Sequence, residues 1–160
     1  MNSNKDNNSK ILLNEELISY GLSFEDSREL LEFLGKKLEK KGIVKDSFTK
    51  AIIKRESNYP TGLQSGNIGI ALPHTDAEHV NKAAISVTIL DSPVKFIGMG
   101  TEDTQIDVSI IFLLAIKDPK DQISLLQNLM DLLQREEIME KMQKSSDKKE
   151  ILKLLKNEIL

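Results

Sequence analysis

Apolar residues follow two rhythms along this chain, helical toward both ends and nearly continuous in the middle. In "SFEDSRELLEFLGKKLEKKG", residues 23–42, a helix opened by Ser23 carries Leu30, Leu31, Phe33, Leu34 and Leu38 at helical spacing. Lysines fill its last turns and Gly42 closes it. A second helix is expected from Asp46 as N-cap, with Phe48, Ile52 and Ile53 inward, ending before Pro60.

Beyond the turn "YPTG" the pattern changes. "NIGIAL", "AAISVTIL" and "IDVSIIFLLAI" are apolar runs rich in β-branched residues, and "PVKF" is a short candidate between the last two; all four predict strands. In "DPKDQISLLQNLMDLLQ" the helical period returns, with Asp118 as N-cap, Pro119 at the first helical position, and Ile123, Leu126, Leu129, Met130 and Leu133 inward. A final amphipathic helix is expected on Ile151, Leu152, Leu154 and Leu155. Strands apolar at nearly every position are covered on both faces, so helices before and after them predict a three-layer α/β/α sandwich. The first ten residues read as a disordered polar tail and 11–160 as one domain.

Composition narrows the function. A net charge of -3 offers no excess of positive charge for a phosphate backbone or an anionic bilayer, so neither nucleic acid nor a membrane surface is an expected partner. The longest apolar run, Val108 to Ile116, is too short to span a bilayer, which needs roughly 20 residues. Cysteine is absent, which removes disulfides, thiolate nucleophiles and cysteine-ligated zinc, and fits the reducing cytoplasm. A cytoplasmic protein is expected.

Both histidines, His74 and His79, lie in "GIALPHTDAEHV". Pro73 holds Leu72 extended and ends a strand, so His74 emerges at the strand's C-terminal end, where open α/β sheets place ligands. The next residues can begin a helical turn capped by Thr75 or Asp76, with backbone N–H groups toward an anion. Such an imidazole is a candidate base, nucleophile or metal ligand, or a structural histidine. The five-residue spacing does not put the two rings on one helix face, and local spacing offers no obvious third metal ligand beyond the candidates Asp76 and Glu78; no Gly-x-Ser-x-Gly elbow marks a serine hydrolase. No metal or cofactor is expected.

The stretch "KRESNYPTGLQSGNIGIALPHTDAEHV" resembles the IIA domains of the fructose and mannitol class of the phosphoenolpyruvate-dependent sugar phosphotransferase system, in which an Arg-Glu pair precedes "PTGL" and a phosphorylated histidine follows proline. With "SPVKFIGMG" and "LLAIKDPKDQISLLQNLMDLL" added, the resemblance is to the galactitol type in particular and runs from about Lys50 to Gln134. It implies a mixed central sheet flanked by helices. It also implies a carrier that takes a phosphoryl group from the phosphocarrier protein HPr and passes it to a cysteine of a IIB component, for uptake of a sugar alcohol such as galactitol. On this chain His74 is then the phosphorylated residue, attacking through Nε2 while Nδ1 is held, for which a nearby backbone carbonyl suffices.

Arg55 matches the family's arginine, and its planar fork suits phosphoryl oxygens; the alternative is a surface arginine paired with Glu56, which has no role of its own in this reading. Thr75 could offer its hydroxyl or N–H to the phosphoryl group, or simply cap the turn. Mannitol-type members carry a second active-site histidine where this chain has Gln122, which cannot carry a proton at neutral pH. His79 either supplies that function or is a cap or surface position. The "IGMG" stretch either forms a docking rim around Met99 or turns one methionine inward. A regulatory module of the same fold, similar to nitrogen-related IIA proteins and acting by phosphorylation-dependent protein binding, is the alternative function.

Overall fold

A computed structural model describes residues 11–120 and 122–159; the predicted N-terminal tail lies outside the described residues. Strands β1 (Ile18–Leu22), β2 (Gly62–Ser65), β3 (Ile68–Ala71), β4 (Ala84–Ile97) and β5 (Gln105–Ala115) form one sheet in the order β1-β4-β5-β3-β2. The sheet is mixed: β1 runs parallel to β4 and β3 parallel to β5, while β4–β5 and β2–β3 are antiparallel.

Helices α1 (Ser27–Lys40) and α2 (Phe48–Asn58) cover one face, and α3 (Ile123–Leu133), α4 (Glu136–Lys144) and α5 (Lys148–Ile159) cover the other. Alternation along β5 explains why both faces are greasy. Ile110, Phe112 and Leu114 meet the side of α3–α5, whereas Ile111, Leu113 and Ala115 meet that of α1 and α2. The expected three-layer α/β/α sandwich is present.

Several elements depart from the sequence expectation. "AAISVTIL" and "PVKF" are one strand, β4, because the exposed Asp91, Ser92 and Pro93 bulge out of the ladder between Ile89, paired with Ile110, and Val94, paired with Val108. Helix α1 begins at Ser27, not Ser23: the Asp26 side chain accepts from the Glu29 N–H, which makes Asp26 the cap. Gly42 follows α1 with φ 74°, the left-handed conformation that closes a helix. Ser47 rather than Asp46 holds the N-cap position of α2.

Asp118 does not cap α3; its carboxylate accepts from the Lys120 N–H in a separate turn, and α3 starts after Gln122. This shifts the buried face to Leu125, Leu129, Leu132 and Leu133 and leaves Ile123 and Met130 exposed. Phe33 is likewise exposed and stacks at a tilt on Phe24, while Ile53, Leu126, Leu152 and Leu154 are half-buried. Strands β1 and β2 and helix α4 are additions to the sequence expectation.

Candidate functional site

The site grows from the C-terminal end of β3. Beyond Ala71 the chain continues extended, the Leu114 N–H donates to the Pro73 carbonyl (3.0 Å), and His74 makes a bridge beside Leu114 of β5. The proline thus carries the chain past the end of the strand without losing its neighbour, and His74 arrives at the sheet's edge half-buried. Its Nδ1 lies 2.8 Å from the Leu72 carbonyl oxygen. A carbonyl only accepts, so Nδ1 carries the hydrogen and donates; the neutral ring then has its free lone pair on Nε2. A backbone carbonyl suffices to hold Nδ1 in this way.

Thr75, the next residue in sequence, is buried. Asp76 occupies the N-cap position of a three-residue 3₁₀ turn, Ala77–His79, with no hydrogen bond from its side chain to the turn.

Arg55 occupies the last turn of α2, and the structure joins that turn to His74 through a short chain of contacts. The Tyr59 N–H donates to the Arg55 carbonyl (2.7 Å), and the Arg55 guanidinium lies over the Tyr59 ring, 4.2 Å from its centre. Two residues on, Thr61 accepts the Leu72 N–H at Oγ1 (3.0 Å), and Leu72 in turn holds His74. Among the described residues no ion pair involves Arg55, and the expected alternative pairing with Glu56 is not formed.

Glu56 instead turns inward. It is buried, and its Oε1 accepts the Thr61 N–H at 2.9 Å while the Thr61 hydroxyl faces Oε1 and Oε2 at 3.1 and 2.9 Å. Burial pushes the Glu56 carboxyl up to about 7, with the two Thr61 bonds pulling the other way. Sequence reasoning gave Glu56 no role, although its spacing held a signal: Phe48, Ile52 and Glu56 are four apart, so the carboxylate continues the buried face of α2.

His79 sits elsewhere. Its Nδ1 is 2.8 Å from the Ser47 hydroxyl at the start of α2, the helix end opposite Arg55, and its Nε2 lies 3.5 Å from Glu78. The Lys45 N–H donates to the His79 carbonyl (2.9 Å), tying the backbone to the α1–α2 connection. The contacts of His79 are thus with the α1–α2 connection and its own turn, and no hydrogen bond among the described residues brings it to His74.

Gln122 is buried at the N-cap position of α3, and its Oε1 has no hydrogen-bond partner among the described residues. Met99 is exposed, which removes the inward-methionine alternative for the "IGMG" stretch, and its N–H donates to the Gly62 carbonyl (2.8 Å), which puts it beside Thr61. Among the described residues no group of three or more His, Asp or Glu side chains is arranged to hold a metal ion, and no helix is long and apolar enough to cross a membrane.

A mixed sheet in three layers, with a half-buried imidazole at a strand end and, among the described residues, an arginine outside every ion pair in the last turn of α2, defines an α/β class of protein with one ring nitrogen left free. Residues 11–158 match the family "Phosphoenolpyruvate-dependent sugar phosphotransferase system, EIIA 2", and the chain belongs to that family. The galactitol-specific EIIA component of Escherichia coli (strain K12) is 34% identical over 120 residues, covering 75% of this chain and 79% of that protein. The crystal structure of mannitol IIA from Escherichia coli superposes with a TM-score of 0.74 at 26% identity, covering 91% of this chain and 99% of that one. The complex of mannitol enzyme IIA with phosphorylated mannitol enzyme IIB, also from Escherichia coli, gives a TM-score of 0.75 at 25% identity over 92% of this chain and 99% of that one.

Proposed function

We propose that this protein is the IIA phosphoryl carrier of a sugar transport system, phosphorylated on His74 Nε2 by phospho-HPr and discharged to a cysteine thiolate of a IIB component. The observation that carries this reading is the 2.8 Å contact between His74 Nδ1 and the Leu72 carbonyl, which leaves Nε2 as the nucleophilic nitrogen. In the transfer the Nε2 lone pair forms a bond to phosphorus as the bond to the donor imidazole of HPr breaks. The proton stays on Nδ1, and the positive charge gained by the ring is met by the carbonyl that Nδ1 faces. In the second step the thiolate forms the new bond to phosphorus and His74 leaves as a neutral ring.

In this reading Arg55 serves the charge in flight; the residue is half-buried, and its guanidinium is stacked on Tyr59 and in no ion pair among the described residues, which supports the role. Thr75 and Gln122 complete the reading as contacts for the phosphoryl oxygens. A side-chain amide can turn either end toward the ligand, so the unpartnered end of buried Gln122 could donate there. Exposed Tyr59 and Met99, near Thr61 in the chain and by hydrogen bond, form the apolar rim for docking.

Two relatives support the transport reading and its partner: one is named a galactitol-specific EIIA component, and mannitol IIA has been solved bound to a phosphorylated IIB. The test is discharge. Phosphorylated protein should lose its label within seconds to the IIB encoded beside it and keep it when that protein's cysteine is changed to serine. Retention with every such IIB, together with tight binding of the unphosphorylated form to another protein, would replace transport with the regulatory role.

A further inference from the structure

Four groups form one unbroken line from the interior of α2 to the ring of His74. The Glu56 carboxylate receives both the N–H and the hydroxyl of Thr61; Thr61 Oγ1 receives the Leu72 N–H; and the Leu72 carbonyl receives His74 Nδ1, with every separation between 2.8 and 3.1 Å. The geometry points to Glu56 and Thr61 as positioning residues for the transfer, fixing through Leu72 the tautomer and direction of the His74 ring.

Each link has a reason to be there. Leu72 lies past the last paired residue of β3, and its buried N–H finds no strand partner there; Thr61 supplies a side-chain acceptor in its place. A threonine hydroxyl can rotate, but here it is committed, because its hydrogen is drawn to Glu56 and its lone pair to Leu72. Leu72 is therefore held at its N–H while Pro73 restricts the bond that follows, so its carbonyl has one direction in which to point. That direction is His74 Nδ1.

The position of Glu56 also has a cost that a purely structural account leaves without return. A buried carboxylate is unfavourable, and burial raises this one to about 7. Glutamine or an apolar residue would pack on the face of α2 shared with Phe48 and Ile52 at lower cost. Glu56 further lines an open cavity of about 410 Å³ with Arg28 of α1 and Lys95 of β4.

This inference rests on the reading of His74 as the phosphorylated residue, and one set of variants separates the two. Thr61→Val keeps the shape and removes the hydroxyl; Thr61→Ser restores it; Glu56→Gln keeps an acceptor but loses the charge. The first readout is the tautomer of unphosphorylated His74, read from its two ring nitrogens by nitrogen-15 NMR, and the second is the rate of phosphorylation by phospho-HPr.

The wild type should show Nδ1–H, Thr61→Val should move toward Nε2–H and accept phosphate about tenfold more slowly, and Thr61→Ser should return both toward the wild type. Glu56→Gln should lie between, and carries the comparison if Thr61→Val does not fold. A folded Thr61→Val or Glu56→Gln with unchanged tautomer and unchanged rate overturns the proposal. A tautomer shift in a protein whose wild type takes no phosphate on His74 upholds the hydrogen-bond line and overturns the carrier reading instead.

Discussion

Replacing Glu56 by glutamine should change how stability depends on pH. The carboxyl titrates at about 7 in the folded chain against 4.5 as its ordinary value, because burial disfavours the charged form more than the Thr61 bonds favour it. In the window between these values the folded protein holds a proton that the unfolded chain has released. Stability from this group is therefore full below about 4.5, falls as pH rises through the window, and levels off above about 7. A shift of this size corresponds to about 3 kcal/mol at the plateau, of which about 2 to 3 kcal/mol falls between pH 5 and pH 8.

Glutamine does not titrate, so the wild-type loss across that range should be absent from Glu56→Gln. Every other titrating group is common to the two proteins, Arg28 and Lys95 beside Glu56 in the cavity included, so their contributions cancel in the comparison. Urea denaturation followed by far-ultraviolet circular dichroism at the two pH values measures the difference of differences. Parallel profiles for the two proteins would refute the claim that Glu56 is a buried, proton-holding carboxyl.

Other outcomes follow from particular contacts. Arg55→Lys should leave the melting temperature unchanged but slow phosphoryl transfer about ten- to a hundredfold, by loss of the planar fork, as stopped-flow phosphorylation would show. Gly69→Ala should destabilise by about 1 to 3 kcal/mol in thermal unfolding, because a Cβ there would run into the backbone carbonyl of Asp107 on neighbouring β5.

What the sequence made legible were features enforced by local chemistry or by long periodicity. Gly42 ends α1, Pro73 delivers His74 to the strand's end, and the doubly apolar β5 demands a layer of helices on each side. Short or mostly polar elements were hidden. In β1 the buried Ile18 is followed by exposed Tyr20 and by Gly21, so its alternation breaks after three residues; α4 buries only Met139 and Met142 completely among its glutamates and lysines. The union of two short runs into β4 depended on tertiary pairing with β5 across the Asp91–Pro93 bulge.

The candidate site divides in the same way. His74 and its carbonyl partner follow from a proline and the local chain path, whereas Glu56 gains its meaning only when the β2–β3 hairpin brings Thr61 and Leu72 together. His79, near His74 in sequence, is drawn off by Ser47, a partner 32 residues away.

The most direct measurement is the site of phosphorylation. Incubated with phosphoenolpyruvate, enzyme I and HPr, the protein should gain a single phosphoryl group that is stable to alkali and labile to acid, as a nitrogen–phosphorus bond is. Intact-mass analysis should find it undiminished in His79→Ala and absent from His74→Ala. A phosphoryl group that persists in His74→Ala, or disappears only in His79→Ala, would contradict the account.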